Sequence, residues 1–379
     1  MSSNAHALLS ASGAERWMAC TPSARLESTL PEQKRNSNSF DFSAEGTLAH
    51  EIAEIRLKKH YDQIDPTEFE LRYNVAKQSK YYNEEMENYV DSYCVYVRSQ
   101  IGEGDRPMFE QKVDFSDWIP QGFGTADVVI ISGSTIHVLD LKYGAGIPVS
   151  AIDNAQLRLY GLGTYAKFKE EISEIKTIKY SIIQPRLDSI TTDQTTLEKL
   201  LEWAKYVVAP RAKKAWVGDG EFIAGDHCKW CKAKATCRAR SDFNTALARL
   251  EFRDPPLLTE DEVSEVLFKA GQLKTWVNDV EEFALTRAVD QNVIPPGFKL
   301  TTTVTHRKIS DSALAATVLV EKGMDPVAIW EQPKLKSIAA LEKLGPKGQV
   351  AAWLGNLVLR PEGQPKLVKS KEDAKEDFA

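Results

Sequence analysis

Two short apolar runs, Thr125 to Ile131 and Thr135 to Leu141, constrain this chain more than any other feature; only Ser132, Gly133 and Ser134 divide them. Runs rich in Val and Ile, split by a Gly-bearing turn, predict a β-hairpin. Each run carries an acid, Asp127 near the start of the first and Asp140 near the end of the second. In antiparallel neighbours the start of one strand lies beside the end of the other, so the two carboxylates converge. Lys142 follows two residues after Asp140 and points to the same face. Asp140 is flanked by Val138, Leu139 and Leu141, and a carboxylate buried there needs a partner or a metal.

The flanking patterns place the hairpin in a layered domain. Leu48, Ile52, Ile55 and Leu57 make an apolar stripe, which predicts a helix over Glu45 to Tyr61 with Ser43 as its N-cap. A second helix is expected over Lys77 to Ile101 and a strand over Met108 to Phe115. Ile152 to Phe168 reads as a helix, Thr177 to Gln184 as a strand stopped by Pro185, and Thr195 to Trp216 as a long amphipathic helix. This order predicts an α/β or α+β layered domain with a mixed sheet flanked by helices, and α/β is the fold class expected. Pro255 and Pro256 mark a break within Phe252 to Leu258. Beyond it a helix is expected over Thr259 to Gln291, a β segment over Leu300 to Thr305 and short helices over 310–360. The expected organisation is an arm (1–44), a core with a cysteine segment (45–243), a mostly helical C-terminal domain (244–365) and a charged, disordered tail (366–379).

Composition narrows the function classes. Of 379 residues, 42% are hydrophobic and 27% charged, ordinary for a protein with a buried core. Neither a membrane span nor a secretory signal is legible, so a cytoplasmic location is expected. The net charge of −6 argues against a surface basic all over, yet a local basic groove is compatible with it. In the cytoplasm, five cysteines point to metal or redox use and away from a disulfide framework.

Two acids with a lysine suit phosphodiester hydrolysis. Oxygen ligands favour Mg²⁺ or Mn²⁺, which activate water and stabilise charge on phosphate. The lysine can orient or deprotonate the water, or offset phosphate charge. The pattern Gly124-x-x-Asp127 followed by Asp140-x-Lys142 resembles the RecB-like branch of the PD-(D/E)XK nucleases, which includes AddB and a CRISPR-associated nuclease family. Gly46, Thr47 and His50 are similar to that branch's helical Gly-Thr-x-x-His motif, and Gln156 with Tyr160 to its Gln-x-x-x-Tyr motif. The resemblance covers about residues 14–240. It implies a restriction-endonuclease-like core acting as a metal-dependent DNA exonuclease. His50, Asp127, Asp140 and the Leu141 carbonyl would hold metal, Lys142 would assist the attacking water, and Gln156 and Tyr160 would contact DNA or organise the site. Glu110 is a weaker candidate for a supporting role, and Glu54 could support His50 from one turn away.

Cys228, Cys231 and Cys237 form a C-x2-C-x5-C run, which asks for a fourth thiolate from Cys20 or Cys94. Cys94, beside Tyr93 and near Tyr96, reads as a core thiol. Four thiolates suit structural zinc as well as an iron–sulfur cluster. Members of the same nuclease branch pair one upstream cysteine with three downstream. The resemblance therefore implies a [4Fe–4S] cluster on Cys20, Cys228, Cys231 and Cys237, serving as a staple. Lys229, Trp230, Lys232 and Lys234 would form a basic, aromatic patch near DNA. A weaker likeness to a phage-encoded nuclease-like family, carried by stretches such as Ala5 to Ser12 and Leu354 to Val358, implies a role in DNA recombination or replication beside a strand-annealing or single-strand-binding protein. The competing reading is a catalytically inactive iron–sulfur module for DNA binding or assembly.

Overall fold

The computed structural model describes residues 7–31, 42–172, 174–246 and 259–300. The break at 252–258, the expected β segment beyond Leu300, the helices over 310–360 and the charged tail lie outside these residues. The chain divides into two compact units, Met1–Thr286 and Arg287–Ala379.

Five strands make one mixed sheet in chain order: β1 (Arg106–Asp114), β2 (Phe123–Ser132), β3 (Thr135–Leu141), β4 (Thr177–Gln184) and β5 (Ser189–Thr196). All neighbours are antiparallel except β3 and β4, which are parallel. A parallel pair needs a long crossover, and this one carries α6 (Ala155–Phe168), capped by Asn154 through Leu157 N–H.

Before the sheet come α1 (Ala14–Ala19), α2 (Ser23–Thr29), α3 (Phe42–His60), α4 (Pro66–Lys77) and α5 (Glu84–Ser99). After it come α7 (Leu197–Trp203), a π-turn over Ala204–Val208 and α8 (Ala209–Val217), then α9 (Arg238–Thr245) and α10 (Glu260–Asp290). One sheet face packs Val129, Ile131, Ile136, Val138, Tyr180 and Ile182 against α6. The other packs Phe109, Val128, Ile130, Leu139 and Leu141 together with Ile52, Val90 and Tyr93 of α3 and α5. Burial of both faces accounts for the near-continuous apolar reading of β2 and β3.

Five elements depart from the sequence reading. Ser43 is not an N-cap; it lies inside α3, which begins at Phe42. The expected second helix starts later, at Glu84 with Asn83 as its cap, and residues 66–77 form the separate α4, opened by Asp65 and Pro66. Ser189–Thr196 is an edge strand, with one large apolar residue, reached from β4 through a 3-10 turn at Pro185–Leu187 and a left-handed Asp188. The long helix begins only at Leu197, capped by Thr196. Among the described residues, no helix is long and apolar enough to cross a membrane.

Candidate active site and cysteine segment

The β2–β3 register pairs Val128 with Leu139, and the next step along both strands brings Asp127 and Asp140 to the same end of the hairpin. The Leu141 N–H donates to Asp127 Oδ2 at 2.8 Å, tying the two strand ends together. Lys142 Nζ sits 2.8 Å from Asp140 Oδ2. From the opposite face α3 supplies His50, whose Nδ1 lies 3.3 Å from Asp127 Oδ2. The α6 crossover supplies Gln156, which accepts from Lys142 Nζ at 3.1 Å and donates to Asp140 Oδ1 and to the Tyr160 hydroxyl, both at 3.2 Å. His50, Asp127, Asp140, Lys142, Gln156 and Tyr160 are thus brought together. Gln156 and Tyr160 organise the acids and lysine from within.

Gly124 has a packing reason to be glycine. A Cβ there would stand 2.8 Å from Tyr160 Cε1, closer than any ordinary contact. The Gly124 and Tyr160 motifs are therefore two halves of one contact. Glu54 does not support His50: it accepts from Lys58 at 2.6 Å and from Arg72 at 2.8 Å. Glu45 is buried and pairs with Arg186 at 3.1 Å, which fixes the start of α3 against the β4–β5 turn.

Charge in the pocket is unevenly distributed. Burial pulls the His50 imidazole down, but Asp127 and its hydrogen bond outweigh this, with help from Asp140, and raise it to about 9. Burial works against ionised Asp127, yet His50, Lys142 and the Leu141 N–H hold its carboxyl below the usual range. Burial, aided by Asp127, raises Asp140 in spite of Lys142. Burial also opposes charge on Lys142, but Asp140 and Asp127 keep its ammonium protonated.

Sequence reasoning underweighted Glu110. Its carboxylate joins His50 and Asp127 in a group whose ligand atoms all lie within 4.8 Å of one another. Burial and then Asp127 push it up to about 7. Among the described residues this is the one group of three or more His, Cys, Asp or Glu ligands at that spacing.

The cysteines fall in two places. Cys94 is buried in the α3–α5 core, its Sγ 3.9 Å from the Ala53 carbonyl, and burial raises its thiol to about 12. Cys20 sits at the end of α1, brought to the cysteine segment by polar contacts from the arm. Arg16 donates to the Trp230 carbonyl at 3.2 Å, and Glu27 accepts the Lys232 N–H at 2.7 Å. The Cys20 thiol is raised by burial, offset by the Ile223 backbone and raised further by Cys237. Cys228 is also raised first by burial, and feels Cys237 and Cys20 in turn. Backbone N–H groups face these sulfurs, Gly225 N–H reaching Cys228 Sγ at 3.4 Å. The cysteines do not form a group at the 4.8 Å spacing. Trp230 is 61% exposed with Lys229 Nζ 5.8 Å from its ring centre, whereas Lys234 is tied to Asp279 at 2.7 Å. Lys234 is thereby withdrawn from the expected basic patch.

The fold and this pocket define an α/β protein whose mixed five-stranded sheet, flanked by helices, carries a histidine–carboxylate group at metal-ligand spacing. The chain belongs to the DUF2800 family, described as "Protein of unknown function (DUF2800)", which matches residues 6–376. Among solved structures, a crystal structure of SSO0001 is similar at 14% identity over 58% of this chain and 95% of that one; with a TM-score of 0.25, the likeness is too distant to carry an inference.

Proposed function

We propose that this chain is a Mg²⁺- or Mn²⁺-dependent deoxyribonuclease of the PD-(D/E)XK type, with a restriction-endonuclease-like core, acting as an exonuclease on DNA. The observation that supports this best is the continuous set of contacts from His50 through Asp127 and the Leu141 backbone to Asp140, Lys142 and Gln156. The donor set fits a hard divalent ion. It is rich in carboxylate oxygen with one imidazole, and Asp140 Oδ2 is buried without an aligned hydrogen bond despite its ion pair with Lys142. His50, Asp127, Asp140 and the Leu141 carbonyl would hold the ion, which supplies charge against a phosphate oxygen and makes a water more acidic.

The protein's own groups divide the remaining work. Lys142 is held as a cation, so it orients the water and offsets negative charge on the phosphate. Gln156 fixes Lys142 and Asp140 at once. Tyr160 holds Gln156 from one turn away and closes over Gly124. The test is degradation of linear DNA labelled separately at each end, in Mn²⁺, by the native chain and by Asp140→Ala. Loss of one end's label ahead of the other, abolished in the variant, is the expected result. Equal activity in both proteins sinks the catalytic reading and leaves the inactive DNA-binding module.

The same reading gives Cys20, Cys228, Cys231 and Cys237 a [4Fe–4S] cluster as a staple between arm and core. Backbone N–H groups directed at these sulfurs suit ligating thiolates. A polynuclear cluster also spaces its thiolates more widely than a single ion does. Protein purified without air should be brown and carry iron; a colourless, zinc-loaded protein rejects the cluster in favour of zinc. A recombination role beside a strand-annealing or single-strand-binding partner rests on the resemblance alone.

A further inference from the structure

The β1–β2 register runs without an inserted residue from Phe109 opposite Val128 to Gln111 opposite Ala126. Glu110 therefore faces Asp127 across the ladder. At this point both strands lose their alternation. Met108 and Val113 pack on the α6 side although they stand an odd number of positions apart, and Ala126 and Val129 do the same in β2. An unbroken strand puts such residues on opposite faces. The phase slip in β1 coincides with Glu110, which adopts φ 50°, a left-handed conformation unusual for a non-glycine residue inside a strand.

One buried polar atom beside this slip lacks a hydrogen-bond partner: the Tyr93 hydroxyl, in a residue 1% exposed that feels the charges of Asp127, Asp140 and Glu110. Among the described residues, no hydrogen bond or ion pair engages the Glu110 carboxylate. A left-handed residue, a carboxylate without a hydrogen bond and an unpartnered buried hydroxyl around one histidine describe a place built for an ion.

We infer that Glu110 is a protein ligand to the divalent ion, together with His50 and Asp127, and that the strained backbone of β1 is maintained to hold it there. This rests on the metal site of the proposed nuclease and adds a ligand that the Gly-x-x-Asp and Asp-x-Lys motifs do not contain. The carboxylates of Glu110 and Asp127 crowd together with only His50 between them, and a divalent ion relieves their repulsion more fully than one imidazole does. Removing Glu110 should then have opposite effects on binding and on stability.

The experiment is Mn²⁺ titration by calorimetry, with thermal unfolding in chelator, on the full chain and on Glu110→Gln, Glu110→Gly and, as a control, Asp127→Asn. Glu110→Gln and Glu110→Gly should each weaken Mn²⁺ binding about 10-fold or more, in line with the 10–100-fold that supporting groups alone command. Glu110→Gly, which removes both the repulsion and the backbone strain, should raise the midpoint of the ion-free protein by about 2–4 °C. Unchanged Mn²⁺ affinity in both Glu110 variants, with Asp127→Asn impaired, overturns this inference and leaves the metal site standing. No Mn²⁺ binding by the native chain overturns both. A lower midpoint in chelator for Glu110→Gly overturns the claim that the strain serves the ion.

Discussion

The carboxylate pocket and the cysteine segment both join residues far apart in sequence, but they do so by opposite means. In the pocket, strand register sets the positions: Asp127 and Asp140 meet because the hairpin pairs Val128 with Leu139. Around the cysteine segment, arm side chains reach backbone groups at the end of α8 and in the segment itself. Arg16 takes the Trp230 carbonyl, Thr21 the Asp219 carbonyl, Arg25 the Trp216 carbonyl and Glu27 the Lys232 N–H. The pocket is thus secured by a buried core on both faces and burdened by like charge. The cysteine segment carries little apolar packing and depends on a few polar latches. On the proposed reading, chemistry sits on the region built by strand register, and the added staple sits on the region joined by polar latches.

That contrast can be broken by single substitutions. The largest expected effect is on the staple. With the proposed cluster in place, Cys20→Ser removes a cross-link spanning most of the core, and the chain-entropy argument puts its worth at about 5 kcal/mol. Denaturant unfolding should show that loss together with loss of iron, while folded protein retains DNA hydrolysis. Lys142→Met should do the reverse, lowering hydrolysis about 10²–10⁴-fold in single-turnover assays with the iron content unchanged. A variant of either kind that moves both readouts equally would falsify the division of labour.

Smaller effects sharpen it. Gly124→Ala forces a methyl group against Tyr160 and should cost about 1–3 kcal/mol in urea unfolding while slowing hydrolysis, since Gln156 loses its brace. His137 tests the sheet away from both sites. It is buried against Ser181, and burial beside Lys179 lowers it to about 3. Between pH 6.5 and about 3 the unfolded chain therefore binds a proton that the folded chain refuses. Stability is fully present above the unfolded value and falls as pH drops, by about 1.4 kcal/mol per unit. Urea midpoints taken at pH 7.5 and 5.5 should differ less in His137→Gln than in the native chain.

What the sequence could disclose follows from how each contact is made. Alternation and a short turn are local, so the hairpin and its two acids were legible from Thr125 to Lys142. Gln156 and Tyr160 stand one helical turn apart and were equally readable as a pair. Glu110 was legible only as a weaker candidate for a supporting role, because a positive φ and a slip of strand phase leave no trace in residue type. β5 was missed because Ser189–Thr196 offers a single large apolar residue, Ile190, and Thr serves loops and edge strands alike. α4 was announced by Asp65 and Pro66, but its stripe is blurred by exposed Leu71 and Val75. The approach of Cys20 to Cys228 and Cys237 depends on tertiary latches, which spacing alone does not encode.

The single parallel pairing in the sheet has a consequence for biosynthesis. A ribosome that has released only as far as Lys142 has delivered His50, both acids and the lysine, yet Gln156 and the strand beside β3 are still unmade. The crossover through α6 must be translated, and β4 laid against β3, before the lysine and Asp140 acquire their shared amide. An emerging chain therefore carries an unarmed set of charges, and the completed pocket belongs only to a polypeptide synthesised past Gln184.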